Sequence, residues 1–138
     1  MEIDKTIPVL VVEDDPNLRR IIINIIKKIG FPMIREADNG QNAWAVILNA
    51  EVSMVITDLN MPVVDGLQLT KMIRGNPKFK HLPVMMITAS DTKETIVKAG
   101  KVGVDGYLIK PFNVKEILQN IQEALKRAAA RNEAAGNG

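Results

Sequence analysis

Val9-Leu10-Val11-Val12-Glu13-Asp14-Asp15 is a short, mostly β-branched apolar run that stops abruptly at three acids. The pattern returns further along the chain. Met54-Val55-Ile56-Thr57 ends at Asp58, Val84-Met85-Met86-Ile87 ends at Thr88, and Tyr107-Leu108-Ile109 ends at Lys110. Unbroken apolar runs of this length suit strands buried on both faces, as in a parallel sheet. Parallel strands place their carboxyl ends along one edge, where open α/β sheets bind ligands. Carboxylates, a hydroxyl and an ammonium far apart in sequence would then share one pocket, a set suited to a divalent cation and a phosphoryl group.

The segments between these runs carry a helical period. Leu18, Ile21, Ile22, Ile25, Ile26 and Ile29 recur at steps of three and four and form a wide apolar stripe. Asp15 is the expected N-cap of this helix, Pro16 its first residue and Gly30 its stop. Met33 to Ala37 reads as a short, half-polar strand suited to a sheet edge. Asn39-Gly40 opens a second helix with the stripe Ala43, Val46, Ile47 and Ala50. Asp65-Gly66 opens a third, buried through Leu69, Met72 and Ile73 and ending at Asn76-Pro77. A fourth, near Thr92 to Ala99, is weakly patterned. The fifth carries Val114, Ile117, Leu118, Ile121 and Leu125 and can run on into the alanine-rich tail; 128 to 138 otherwise reads as a frayed helix end or a linker remnant.

Five alternating strand and helix units imply a mostly parallel sheet covered on both faces and joined by right-handed crossovers. The apolar first, third and fourth strands belong in the middle and the more polar second at one edge. The expected fold is therefore α/β and flavodoxin-like, doubly wound, with strand order 2-1-3-4-5 and five helices. Its switch point, between strands 1 and 3, makes Glu13-Asp14 face Asp58 across the crevice.

Composition narrows the functional classes. The 138 residues, 46% of them hydrophobic, suit one domain. With no cysteine, disulfides, thiolate metal sites and cysteine nucleophiles are excluded, and a reducing, cytoplasmic setting is expected. The acidic residues near the start do not fit a signal peptide, and no apolar stretch approaches the roughly 18 residues of a membrane span. A net charge of +2 from 18 basic and 16 acidic residues is too balanced to argue for nucleic acid.

Crowded carboxylates repel; a pair about 4 Å apart costs roughly 4 kcal/mol at an effective dielectric near 20. A cation relieves this, and an oxygen-only set of two or three carboxylates plus water favours Mg²⁺ over calcium. Without metal, at least one carboxyl is expected to hold its proton unusually tightly. Asp58 is the candidate nucleophile, since a carboxylate can form an aspartyl phosphate. Lys110 would be the fixed positive partner and Thr88 a hydrogen-bond donor.

Four ordered stretches carry a family resemblance: Val-Val-Glu-Asp-Asp-Pro (11 to 16), Thr-Asp-Leu-Asn-Met-Pro-Val-Val-Asp-Gly (57 to 66), Ile-Thr-Ala-Ser (87 to 90) and Gly-Tyr-Leu-Ile-Lys-Pro-Phe (106 to 112). They resemble the receiver domain of two-component response regulators, above all the single-domain, CheY-like chemotaxis receivers. The likeness spans about Pro8 to Leu125, so 1–138 is expected to be a single receiver domain. It implies that Asp14 holds Mg²⁺ directly, Glu13 through water, and Asn60 by its backbone carbonyl, beside Asp58 as phospho-acceptor. It implies further that Lys110 pairs with the phosphoryl group, that Lys110-Pro111 is a cis peptide, that Thr88 closes over the phosphoryl oxygens and that Tyr107 swings inward behind it. Asp15 falls outside the acidic pair and, like Asp65, reads as a helix cap.

The function so implied is a phosphorylation-driven switch, not a turnover enzyme, that catalyses its own phosphorylation and dephosphorylation. Its expected partners are a histidine kinase or histidine phosphotransfer protein, and a downstream protein met through the face around Tyr107. Chemotaxis is the favoured setting; a phosphorelay intermediate or a piece of a multidomain regulator is the alternative. A phosphatase with an aspartyl nucleophile would want an acid at 60, where Asn60 stands. A flavodoxin-like cofactor binder would want a hydroxyl- or glycine-rich loop in place of Glu13-Asp14-Asp15. A pseudo-receiver would lack active-site residues that are all present here. Ser90 departs from the chemotaxis pattern, which has an acid there. Met61, Met72, Met85 and Met86 read as packing, Trp44 as partly covered surface, and His81 as a loop residue.

Overall fold

The computed structural model describes residues 3–136. Its elements alternate as β1 (Val9–Val12), α1 (Pro16–Ile29), β2 (Ile34–Ala37), α2 (Gly40–Asn49), β3 (Met54–Thr57), α3 (Gly66–Arg74), β4 (Val84–Thr88), α4 (Lys93–Val102), β5 (Gly106–Ile109) and α5 (Val114–Gly136). The strands form one five-stranded sheet in the order β2-β1-β3-β4-β5, every neighbouring pair parallel. The expected architecture and strand order are thus observed. No helix among the described residues is long and apolar enough to cross a membrane.

The alternation of side chains along a strand divides the core in two. Val9, Val11, Met54, Ile56, Met85 and Ile87 meet α1 and α5 on one face. Leu10, Val12, Val55 and Val84 meet α2 and α3 on the other. Both sides of β1, β3 and β4 are therefore apolar, which explains their unbroken runs. β2 has one partner strand, and of its residues only Ala37 is buried.

Local chemistry sets the ends of the elements. Asp15 caps α1 by accepting from the amides of Asn17 and Leu18, and Gly30, at φ 123°, closes it in a conformation that side chains resist. Asp65 and Gln68 form a reciprocal capping box on α3. α4 buries only Ala99, the reason for its weak sequence pattern. β2 starts at Ile34, one residue after the expected Met33, which is exposed and lends β1 only its carbonyl.

Residues 128–136 continue α5, the run into the tail that its sequence allows, and 137–138 of that tail lie outside the described residues. Ala128 is buried, Arg131 pairs with the carboxylate of Asp105, and the Asn132 amide donates to the His81 carbonyl at 2.9 Å. Asp105 is only 4% exposed and also accepts from Arg74 at 2.9 Å and from the Val84 amide at 3.0 Å. This network ties α3, α5 and the starts of β4 and β5 together at the edge opposite the acids.

Candidate functional site

The register aligns Val12 with Thr57, so Glu13 and Asp58 leave adjacent strands side by side. One ligand oxygen from each of Glu13, Asp14 and Asp58 fits within a span of 4.8 Å. Glu13 and Asp58 are buried and Asp14 is exposed, so the cluster opens to solvent on the Asp14 side. Lys110, at the end of β5, reaches across: its Nζ lies 3.2 Å from Glu13 Oε1 and 3.3 Å from Asp58 Oδ2. The Lys110–Pro111 peptide is cis.

The two buried acids are oriented by their own loops. Glu13 Oε2 accepts the amide of Asp15 at 3.1 Å. Asp58 Oδ1 accepts the amide of Leu59 at 2.6 Å, leaving Oδ2 toward Lys110. The loop from β3 to α3 is drawn tight beneath them: a Cβ on Gly66 would collide with the carbonyl oxygen of Asp58, so only glycine permits that approach. Val63, in the same loop, sits at φ 70°, with the Val64 amide bonded to the Pro62 carbonyl, a strained γ-turn for a β-branched residue.

Electrostatics follows from this crowding. Burial foremost, then Asp14 and the charge of Asp58, push the Glu13 carboxyl up to about 7 from its ordinary 4.5, against the opposing pull of the Asp15 amide and Lys110. One ammonium therefore does not neutralise the acids. Glu13 and Asp58 share the ammonium of Lys110 while Asp14 stands beside them, a crowded donor set of hard oxygens that fits a divalent cation.

Thr88 is fully buried at the end of β4, its hydroxyl accepting from the Ser90 amide at 3.3 Å. The Tyr107 hydroxyl donates to the Ser90 carbonyl at 2.6 Å, and burial, then Asp58 and Asp91, raises its pKa. Asn60 is exposed, its side-chain amide 3.4 Å from the Ser90 hydroxyl. The residues expected from strand ends thus gather at one edge. Asp15 and Asp65 are caps, Met61, Met85 and Met86 are buried, and Trp44 rests edge-on against Phe79 at 5.8 Å. His81 is exposed and contributes only its backbone carbonyl to neighbours.

Two contributors escaped sequence reasoning. Arg19, one turn into α1, donates to the Glu13 carbonyl at 2.7 Å and to Glu36 at 2.9 Å. Asn120 of α5 donates to the Tyr107 carbonyl at 3.1 Å and occupies the space a Cβ on Gly106 would need. Both lie on helix faces where a polar residue reads as solvated surface.

Comparison with known proteins gives the family. Residues 9–122 match the model of the family described as response regulator receiver domain. A Vibrio cholerae protein named chemotaxis protein CheY-3 is 37% identical over 125 residues, covering 91% of this chain and 96% of that protein. The Pseudomonas aeruginosa chemotaxis protein CheY is 35% identical over 119 residues, 86% of this chain and 96% of its own. Among solved structures, the chemotaxis response regulator CheY4 of Vibrio cholerae superposes with a TM-score of 0.79 at 29% identity, over 86% of this chain and 98% of that one. The chain belongs to the response regulator receiver domain family.

Proposed function

We propose that this receiver is a Mg²⁺-dependent switch that accepts a phosphoryl group on Asp58 from a histidine kinase or a histidine phosphotransfer protein. One observation carries the reading: Lys110 spans Glu13 and Asp58 while Asp14 completes a cluster within 4.8 Å, at the switch point of the sheet. Asp14 and Glu13 would hold the cation with Asp58 and the Asn60 carbonyl. When bound, Mg²⁺ neutralises charge on the phosphoryl oxygens.

The chain's own groups supply the rest. Asp58 Oδ1 is committed to the Leu59 amide, so Oδ2 attacks phosphorus; a P–O bond forms as the P–N bond of phosphohistidine breaks and the imidazole leaves. Lys110, already at that oxygen, passes its charge to the phosphoryl group. Thr88 donates its hydroxyl to the new oxygens, releasing the Ser90 amide, and the Tyr107 bond to the Ser90 carbonyl transmits the rearrangement. Water attack on the acyl phosphate, catalysed by the same site, resets the switch.

A downstream protein would be met on the face of α4, β5 and α5 around Tyr107, where Ile96, Val97, Ile109 and Val114 are exposed. The relatives' names favour chemotaxis as the setting. Incubation with Mg²⁺ and a small-molecule phosphodonor is expected to label Asp58, as seen by mass spectrometry after trapping the acyl phosphate. Labelling that persists unchanged in Asp58→Asn would refute the assignment.

A further inference from the structure

The Glu13 backbone is held from both sides. Its amide donates to the Ala37 carbonyl of β2 at 3.1 Å, and its carbonyl accepts from Arg19 Nη1 at 2.7 Å. The Ala37 bond holds the peptide joining Val12 to Glu13, and the Arg19 bond holds the one joining Glu13 to Asp14. Its orientation decides whether the exposed Asp14 carboxylate points at the buried pair or away from it. Arg19 is well suited to this work: Nε is tied to Glu36 Oε1 at 2.9 Å, and the side chain is only 18% exposed. A guanidinium can bond two acceptors with one rigid plane, which an ammonium cannot.

We infer that Arg19 is a positioning residue for the metal site, holding the Glu13–Asp14 peptide so that both carboxylates meet one divalent cation. The inference rests on the reading of Glu13 and Asp14 as the metal pair. It is distinct from a simple staple between α1 and β2. A staple would depend on Glu36 as much as on Arg19, whereas positioning depends on the bond to the Glu13 carbonyl. Glu36 is 60% exposed and its partnership only steadies the guanidinium.

The test measures Mg²⁺ affinity by calorimetry, and thermal stability without metal, for the parent, Arg19→Met, Arg19→Lys, Glu36→Gln and Asp14→Asn. Loss of a group that orients a metal ligand commonly weakens binding by about 10- to 100-fold. Arg19→Met is expected to fall in that range, Arg19→Lys to lie between it and the parent, and Glu36→Gln to bind within about threefold of the parent. Should Arg19→Met not fold, Arg19→Lys carries the test, and unaltered affinity there refutes the inference. Equal weakening by Arg19→Met and Glu36→Gln, or a loss of melting temperature with affinity unchanged, would reduce Arg19 to a staple and overturn it. Asp14→Asn separates the two levels. If it binds Mg²⁺ as the parent does, the metal reading itself fails; if it loses binding while the Arg19 variants keep theirs, only the role of Arg19 fails.

Discussion

Glu13 makes the metal-free protein sensitive to pH in a direction opposite to most carboxylates. Its pKa rises on folding from 4.5 to about 7, first through burial and then through Asp14 and Asp58. The sign follows from linkage: the folded state holds a proton that the unfolded chain has released. Stability from this group is fully present below pH 4.5, is lost as pH rises through about 7, and is level above that. At about 1.4 kcal/mol per pH unit, the loss is about 3 kcal/mol. Other carboxylates titrate over the lower part of the same range, so the parent is best compared with Glu13→Gln, which keeps the shape and cannot ionise. Urea denaturation in metal-free buffer between pH 4.5 and 8 is expected to show Glu13→Gln gaining on the parent by about 3 kcal/mol as pH rises. Saturating Mg²⁺ is expected to return stability to the parent above pH 7 and to do little near pH 5, where Glu13 is protonated. A stability difference between the two proteins that stays constant across pH would refute the argument.

Three further outcomes follow from other parts of the molecule. Asp105→Ala leaves Arg74 and Arg131 without their shared buried carboxylate, and urea unfolding is expected to show a loss of about 3–5 kcal/mol with phosphorylation chemistry intact where the protein remains folded. Val63→Asn replaces a β-branched residue at φ 70° with one that tolerates this region, so thermal unfolding should report a gain of about 1 kcal/mol. Lys110→Met removes the one cation that Glu13 and Asp58 share; phosphodonor labelling is expected to survive, while the shift of Tyr107 on phosphorylation, followed by NMR, is lost.

Much of the fold was legible because its cause is local. The β1, β3 and β4 runs are apolar at every position, since helices cover both faces, and that continuity is visible residue by residue. The caps at Asp15, Asn39 and Asp65 act on amides two or three residues away, so their positions could be read directly. The continuation of α5 into the tail could be anticipated, but its docking could not, because alanine, arginine and asparagine show no apolar stripe. Its order comes from a carboxylate at Asp105 and a carbonyl at His81, both distant in sequence. Arg19 was missed for the same reason, its partners being a backbone oxygen and a strand on the far side of α1.

By itself the sequence determined which chemistry was available: hard oxygen donors, one well-placed ammonium, no thiolate, and strands whose ends would carry them. Strand order then followed from which runs were apolar enough for the centre. Only the tertiary structure decided how the charges add up, because burial and distance are set by residues far apart in the chain. Glu13 became the reluctant anion because it is the acid enclosed between β1, β3 and Lys110.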